Sequence, residues 1–260
     1  MCTGISGVYA VTKLDGCGDL NTKGETYNLI NDIVHKGPGD CIVINAENIT
    51  LDCKSFKISG SSASISGIRI NSARSVKVRN CTIEKFRTGI MDVNGVSNII
   101  EFNTVRFNSG SGMSISSVDG AVMSNISNDN STNGISVVGV SNYIYNNTVR
   151  SNNKNGIVII GSGNNKAKVN IKNNKNRIFA KKIESNYIVK NRTTSNGENG
   201  IFLLLKATGN LVYANVSEKN KQHGIMDHSP VNNKLLNTYT RNRCSDNLIG
   251  DSSPKDLCEP

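Results

Sequence analysis

The segments SNYIYNNTVRSNNKNG (Ser141–Gly156) and SNYIVKNRTTSNGENG (Ser185–Gly200) align over their whole length without a gap, so they are two copies of one unit. Outward from them, a glycine followed by an apolar residue recurs at spacings of 22, 23, 22, 22, 44 and 24 residues. These glycines are Gly67, Gly89, Gly112, Gly134, Gly156, Gly200 and Gly224. A fixed period near 22 indicates a repeat architecture in which each unit stacks on its neighbours.

The composition excludes an ordinary α/β enzyme. The 260 residues include 39 Asn and 24 Gly, and both residue types disfavour the interiors of helices and strands. Short apolar runs follow each glycine, and their alternate residues are predicted to point inward and form apolar columns through stacked coils. These residues are Ile68 and Ile70, Ile135 and Val137, Ile157 and Ile159, and Ile201 and Leu203.

An asparagine stands nine residues before six of the glycines. These residues are Asn80, Asn103, Asn125, Asn147, Asn191 and Asn215. Asparagine tolerates the left-handed backbone of a tight turn, and its amide can bond to the same residue on the next coil. We predict that the six residues form a structural ladder.

The recurring Gly-Ile followed by an Asn-rich run resembles the right-handed parallel β-helix family, which includes pectate-lyase-like proteins and NosD-type copper-loading proteins. The segment CIVINAENITLDCKSFKISG (Cys41–Gly60) resembles the opening coil of secreted members. The resemblance implies an all-β, single-stranded right-handed parallel β-helix of roughly nine coils. We expect an N-terminal cap at residues 1–40, the β-helix at 41–240 and a C-terminal cap at 241–260.

The net charge of +10 is concentrated in one part of the chain. Arg150–Arg192 contains eleven Lys and Arg residues against the single acidic residue Glu184. Residues 162–182, in the gap of 44, are interpreted as a degenerate coil or a basic insertion. Such a segment attracts polyanions or is simply a solvated loop, and an acidic polysaccharide is favoured over nucleic acid because aromatic residues other than Phe179 are missing there. The lysines expected to bind it are Lys166, Lys168, Lys172 and Lys175.

The seven cysteines indicate an oxidising compartment. Cys17 and Cys41 lie near the start, Cys244 and Cys258 near the end, and Cys2 is left over. Cys53 and Cys81 fall at matching points of adjacent coils and form either a disulfide or a stack of thiols. No membrane-spanning run or intact signal peptide is visible, and we expect a secreted, cell-surface or periplasmic protein.

Candidate chemistry is concentrated in QHGIMDHS (Gln222–Ser229). Asp227 there, and Asp92 in the similar string GIMD, occupy strand positions that are apolar in other coils, so either a bulge turns each carboxylate outward or a partner holds it. The candidate catalytic residues are Asp92, Asp227, His223 and His228. Imidazole and thioether donors together suit copper, which makes His223, Met226 and His228 an alternative metal site. Three histidines leave little room for a Ser-His-Asp triad or a three-histidine zinc site.

The outward residues that follow each glycine predict the floor of a binding groove. They are Arg69, Met91, Ser114, Ser136, Val158, Phe202 and Met226. The leading hypothesis is a protein that binds an acidic polysaccharide along this face, with lyase, hydrolase or epimerase activity left open. The alternatives are a non-catalytic surface scaffold or adhesion protein, and copper handling of NosD type. A divalent cation or copper as cofactor and the oligomeric state stay open.

Overall fold

The computed structural model describes residues 11–161, 185–204, 207–229 and 237–259, and within them the regular elements are β-strands in three parallel sheets. Sheet A contains β1 (Val11–Leu14), β3 (Thr26–Leu29), β6 (Thr50–Asp52), β9 (Lys77–Arg79), β12 (Ile99–Glu101), β15 (Ala121–Met123), β18 (Tyr143–Tyr145), β21 (Tyr187–Val189), β24 (Leu211–Tyr213) and β27 (Thr238–Thr240). Sheet B contains β2 (Gly18–Leu20), β5 (Ile42–Ile44), β8 (Ser66–Asn71), β11 (Thr88–Val96), β14 (Met113–Val118), β17 (Ile135–Val138), β20 (Ile157–Ile160), β23 (Ile201–Leu203), β26 (His223–Asp227) and β29 (Gly250–Ser253). Sheet C contains β4 (Ile33–Val34), β7 (Lys57–Ser59), β10 (Thr82–Glu84), β13 (Thr104–Arg106), β16 (Ile126–Asn128), β19 (Thr148–Arg150), β22 (Arg192–Thr194), β25 (Val216–Glu218) and β28 (Arg243–Ser245).

A regular coil runs from sheet A to sheet C to sheet B and then returns to sheet A one strand further along. This path confirms the predicted right-handed parallel β-helix. The paired sheets begin at β1 and end at β29, so strands lie within both segments that the sequence assigns to caps. The division into caps and body stays a prediction.

The core lies inside the three sheets and consists of the inward residues of each strand. In sheet B, Ile68 pairs with Ile42 and Ile90, and all three are fully buried. The inward pairs predicted from the sequence are confirmed, because their eight side chains are all fully buried. Stacking converts the repeated apolar positions into continuous columns, which no single coil could bury alone.

The repeated glycines at the start of sheet B strands β8 to β26 are required by the close approach of successive coils. A Cβ atom on Gly134 would lie 2.2 Å from the Val149 side chain and 2.9 Å from the carbonyl oxygen of Gly156. At Gly89 the corresponding contacts are 2.2 Å to Val105 and 2.8 Å to the oxygen of Gly112. A larger residue forces the backbone to shift, and this explains the Gly-apolar signature.

Asparagines stack at the turn between sheets A and C. The Oδ1 of Asn147 accepts hydrogen bonds from the backbone N and the Nδ2 of Asn125, at 3.0 and 3.1 Å. The Asn125 Nδ2 also donates to the Ile100 oxygen at 2.8 Å. The same column contains Asn103, Asn125, Asn147, Asn191, Asn215 and Asn242. The left-handed residue is the one before each of these, such as Ser124 (φ 53°), so the expectation that the stacked asparagine itself adopts this conformation is wrong.

Asn80 lies outside the column, contrary to the prediction. Cys81 occupies the stacking position, and its backbone N donates to the Asn103 Oδ1 at 3.0 Å. Asn80 takes the left-handed conformation and donates to the Asp52 Oδ1 at 3.0 Å. The offset of nine fails here because the connection from sheet C to Gly89 is one residue shorter than the next one.

Three further asparagine columns were not foreseen from the sequence. One, between sheets B and A, contains Asn142, Asn186, Asn210 and Asn237. A second, directly after sheet C, contains Asn108, Asn130, Asn152, Asn196, Asn220 and Asn247. A third, directly before sheet B, contains Asn133, Asn155 and Asn199. These columns account for much of the Asn excess.

Disulfides join three pairs of cysteines within the described residues: Cys17 and Cys41, Cys53 and Cys81, and Cys244 and Cys258. Of the two interpretations of Cys53 and Cys81, the disulfide is therefore present. Strands β20 and β23 pair directly, which leaves no place between them for an additional coil. Residues 162–182 themselves lie outside the described part. No described helix is long and apolar enough to cross a membrane.

Candidate functional site

The predicted groove floor is a continuous row on the outer face of sheet B. The register pairs Arg69 with Met91, Ser114 with Ser136, and Phe202 with both Val158 and Met226. All seven predicted floor residues occupy this row, and only Val158 is nearly buried, at 3% exposure. The row spans seven coils, with Arg69 and two serines among its first four residues and three apolar residues, Val158, Phe202 and Met226, at its C-terminal end.

An amide column borders this row on the side of sheet C. The Asn155 Nδ2 donates to the Glu198 Oε2 at 2.6 Å and to the Asn133 Oδ1 at 3.2 Å. The backbone N of His223 donates to the Asn199 Oδ1 at 3.0 Å, which continues the column to the last coils. Amide and carboxylate groups therefore line one edge of the floor.

Arg69 places a cation at the N-terminal end of the floor. Its Nη1 lies 3.5 Å from the Asp40 Oδ2, and the Ser66 hydroxyl also bonds to this carboxylate. About a third of the Arg69 side chain is exposed, so the guanidinium is available to an anionic ligand as well as to Asp40.

Asp92 faces the interior of the helix. Its register partners are the buried Ile70 and Ile115, its exposure is 2%, and the Asn98 Nδ2 donates to its two oxygens at 3.1 and 3.2 Å. The strand is bulged between Asp92 and Gly95, but the bulge does not turn the carboxylate outward. Burial raises the pKa of Asp92 to about 6, and the Asn98 amide opposes part of this rise. The Asp92 carboxylate therefore faces away from the outer floor, and its catalytic role stays a prediction.

Asp227 belongs to the same inward column and is also buried, at 3% exposure. It accepts hydrogen bonds from the Tyr239 hydroxyl at 2.6 Å, the Ser229 backbone N at 2.7 Å and the Asn237 Nδ2 at 3.1 Å. Burial and the bond to Asp227 raise the pKa of Tyr239. Of the two expectations for this carboxylate, a bulge or a partner, the second is met, because these three donors hold it. Its side chain faces inward, and its catalytic role stays a prediction.

His223, Met226 and His228 lie at the C-terminal end of sheet B. His228 is exposed, and its ring meets that of Phe202 edge-on at 5.1 Å between centroids. The Nδ1 of His223 is buried without a hydrogen-bond partner among the described residues. Burial lowers the pKa of His223, and the nearby His228 adds to this effect, so its imidazole is neutral at physiological pH. A neutral ring suits both proton abstraction and metal binding. The structure adds no fourth donor in the described region, and copper binding stays a prediction.

One group of metal-ligand atoms within the described ranges is compact enough to hold an ion. The sulfur atoms of Cys17 and Cys41 and the ring of His35 lie within 4.8 Å of one another. The two sulfurs are joined in a disulfide, so neither is a thiolate that could coordinate a metal. The predicted ligands Lys166, Lys168, Lys172 and Lys175 lie outside the described residues.

Comparison with solved structures shows the same fold at low sequence identity. The A-module of the Azotobacter vinelandii mannuronan C-5 epimerase AlgE4 has a TM-score of 0.60 and 15% identity over 94% of this chain and 66% of its own. The Dettilon tailspike protein has a TM-score of 0.61 and 15% identity over 91% of this chain and 55% of its own. Pectate lyase Pel9A has a TM-score of 0.63 and 12% identity over 90% of this chain and 70% of its own. This chain thus spans about two thirds or less of the first two proteins.

Comparison with curated protein sequences finds no match. The family model for the right-handed β-helix region matches residues 20–176 and 133–252, which together cover most of the sequence. Together with the three parallel sheets and their register, this match shows that the chain belongs to the right-handed β-helix family.

Proposed function

We propose that this protein binds an acidic polysaccharide along the outer face of sheet B. The observation that carries the proposal is the unbroken row from Arg69 to Met226, which presents one outward side chain per coil over seven coils. An extended polymer matches such a face, because each sugar along it meets an equivalent position on the next strand about 4.8 Å away. The mannuronan epimerase and pectate lyase with this fold are consistent with a uronate polymer.

The basic segment supplies the attraction for a polyanion. Strand β20 leaves sheet B at Ile160, and the chain re-enters sheet A at Tyr187, so the intervening lysines are tethered to the edge shared by these sheets. Lys166, Lys168, Lys172 and Lys175 then raise the local concentration of an anionic chain beside the floor. The three disulfides suit the secreted, surface or periplasmic location in which such polymers occur.

The chemistry of the outer face favours proton abstraction over hydrolysis. Hydrolysis of a glycoside requires two carboxylates on either side of the bond. Asp92 and Asp227 both point inward, and the two carboxylates described beside the floor, Asp40 and Glu198, lie near its opposite ends. Arg69 stays a cation that pairs with carboxylates, so the candidate bases beside the floor are the imidazoles of His223 and His228 at the C-terminal end of sheet B. A base of this kind can remove the proton next to a uronate carboxyl, which is the first step of both elimination and epimerisation. We therefore place lyase or epimerase activity ahead of hydrolase activity.

The test is a binding and turnover panel of polymannuronate, polygalacturonate, heparin and a neutral cello-oligosaccharide. We expect calorimetric binding of at least one polyuronate, weakened by salt, and no binding of the neutral chain. Changing Lys166, Lys168, Lys172 and Lys175 together to Gln should weaken it and flatten its salt dependence. The matched control changes four other exposed cations to Gln, Arg150, Arg192, Lys219 and Arg243, which lie on or directly after strands of sheet C.

Activity is followed by absorbance of the unsaturated product and by proton exchange at the sugar C5. Loss of both signals in His223→Gln or His228→Gln with retained binding supports the chemistry. Retention of the full affinity by the four-lysine variant contradicts the role of the basic segment. Binding of none of the polymers refutes the proposed function and leaves the non-catalytic scaffold.

A further inference from the structure

A cluster of tyrosines covers the outer face of sheet A, away from the floor described above. These residues, called the tyrosine patch, are Tyr143, Tyr145, Tyr187 and Tyr213. They stand on the three consecutive strands β18, β21 and β24 and include four of the seven tyrosines in the chain. The strand register places Tyr143 beside Tyr187, and the row two residues further places Tyr145 and Tyr213 on either side of Val189.

The rings are held in a defined arrangement. The rings of Tyr143 and Tyr145 are stacked, with centroids 5.4 Å apart and planes at 13°, and Tyr187 lies 6.2 Å from Tyr143 at 54°. All four tyrosines are partly exposed, while the residues between them, such as Ile144 and Ile188, are buried. Tyrosine offers a rigid apolar ring together with a hydroxyl that bonds to polar ligands, and few rotamers are lost on binding.

Two cations border the tyrosine patch at the turn between sheets A and C. The Lys190 Nζ lies 5.7 Å from the ring centroid of Tyr145. The Arg241 Cζ lies 5.9 Å from that of Tyr213, and its Nη1 donates to the Tyr213 hydroxyl at 3.0 Å. Neither cation forms a side-chain ion pair with a described acidic residue, although the Glu259 carboxylate accepts a bond from the Arg241 backbone N. Exposed rings next to two available cations match a ligand that is both ring-shaped and anionic.

We propose that the tyrosine patch is a second carbohydrate-binding surface, on which pyranose rings of an acidic polysaccharide stack while Lys190 and Arg241 bind their carboxylates. The aliphatic face of a pyranose ring packs on an aromatic face, and the sugar hydroxyls reach the phenol groups. Guanidinium and ammonium groups donate charge-assisted hydrogen bonds to carboxylates. This proposal rests on the proposed function only in the class of polymer that is bound. The location of binding on sheet A is argued independently of it.

Two surfaces on one rod have a consequence for affinity. A polymer that contacts both sheet A and sheet B binds the second surface intramolecularly, at an effective concentration set by the chain that connects the two sites. Long polymers should therefore bind much more tightly than fragments that reach only one face. The tyrosine patch is thus expected to act on polymer retention without any part in catalysis.

The experiment compares Tyr145→Ala/Tyr187→Ala with wild type, using calorimetry and tyrosine emission with a polymannuronate fragment. The chain has no Trp, so a ligand on the tyrosine patch changes the emission directly. We expect the double variant to lose at least tenfold in affinity together with most of the emission change. Tyr187→Phe should retain affinity within a few fold because the ring remains. Lys190→Gln/Arg241→Gln should weaken binding of the uronate fragment, and neutral cello-oligosaccharide should bind neither this variant nor the wild type.

Phe107→Ala is the matched control, because this exposed ring also carries a stacked cation, Arg106, at 5.2 Å, but lies at the turn after sheet C. Unchanged affinity and emission response in the double variant overturn the second surface, whether or not Arg69→Gln/Phe202→Ala on sheet B weakens binding. Loss in the tyrosine variant with full binding by the sheet B variant supports the tyrosine patch and refutes the sheet B site. A ligand-free oligomer in sedimentation that the tyrosine substitutions dissociate overturns the proposal in favour of an interface between copies.

Discussion

The two buried aspartates of sheet B should respond in opposite ways to the same substitution. Asp92 and Asp227 share one inward column, with exposures of 2% and 3%. One side-chain amide, from Asn98, donates to Asp92, whereas Asp227 accepts from a hydroxyl, a backbone N and an amide. Replacing Asp by Asn changes the charge with little change in shape, so it isolates the cost of the charge.

The expected change in stability for Asp92→Asn follows from the pKa of Asp92, which burial raises from 3.8 to about 6. Because the folded state binds this proton more tightly than the unfolded chain does, the protein is most stable below about pH 4 with respect to this group. That stability is lost as the pH rises through about 6. A difference of about 2 pKa units corresponds to roughly 3 kcal/mol. We expect Asp92→Asn to stabilise the protein by about 1 to 3 kcal/mol at pH 8 and to have little effect at pH 4.

Asp227→Asn should destabilise the protein instead. The new amide offers two N–H groups where Tyr239, Ser229 and Asn237 already donate, so one acceptor is lost and donors face each other. Loss of buried hydrogen bonds to a charged group costs about 1.5 to 3 kcal/mol for each bond. Asp227→Asn therefore serves as the matched control for Asp92→Asn.

The assay is urea unfolding of oxidised protein at pH 4, 5, 6, 7 and 8, followed by circular dichroism. Amide hydrogen exchange near Asn98 accompanies it, because long repeat proteins can depart from two-state unfolding. The free energy of unfolding of Asp92→Asn minus that of the wild type should increase between pH 4 and pH 7. A variant less stable than wild type at pH 8, or one with the same pH slope, would refute the reasoning.

Two substitutions test the stacking of the coils. Asn125→Ala removes the amide that bonds to Asn103, Ile100 and Asn147, so we expect the free energy of unfolding in urea to fall by about 1 to 3 kcal/mol. Asn153 is exposed, and Asn153→Ala should change this free energy by less than about 0.5 kcal/mol. Equal effects of the two substitutions would argue against the ladder. Gly134→Ala places a methyl group 2.2 Å from Val149 and should lower the free energy of unfolding by about 1 to 3 kcal/mol. Gly16→Ala should be nearly neutral, because a Cβ atom there meets nothing within 4 Å. An unchanged melting temperature in Gly134→Ala would contradict the close packing.

The fold could be predicted because each coil repeats the same steric requirements. Gly134 and its equivalents recur wherever successive coils approach closely, and the apolar residues that follow them recur wherever the core is filled. The asparagine columns were harder to find, because loops of unequal length shift their offset from the glycine. At Cys81, for example, the cysteine occupies the stacking position, whereas the neighbouring Asn80 is the residue that lies nine positions before Gly89.

The candidate site was only partly predictable, for a different physical reason. Strand alternation identified the outward row of sheet B, since the side-chain period of a strand is two. The same alternation placed Asp92 and Asp227 inward, but a lone buried carboxylate is costly and suggested a bulge that turns it out. What resolves this conflict is a set of donors further along the chain, such as Asn98 just before β12 for Asp92 and Tyr239 on β27 for Asp227. Contacts of this kind join different parts of the coil and have no fixed spacing.

The insertion between the two most similar coils shows how this fold can accommodate additional residues without loss of its core. Ser141–Gly156 and Ser185–Gly200 remain in register, with Tyr143 beside Tyr187 and Ile157 beside Ile201, although 24 residues separate Ile160 from Ser185. Because each coil bonds only to its neighbours, a segment that leaves after sheet B and returns before sheet A disturbs neither ladder nor column. Charge can therefore be added at this edge independently of stability. In the sequence, this segment follows the floor strand β20 and precedes β21, the strand that contains Tyr187 of the tyrosine patch.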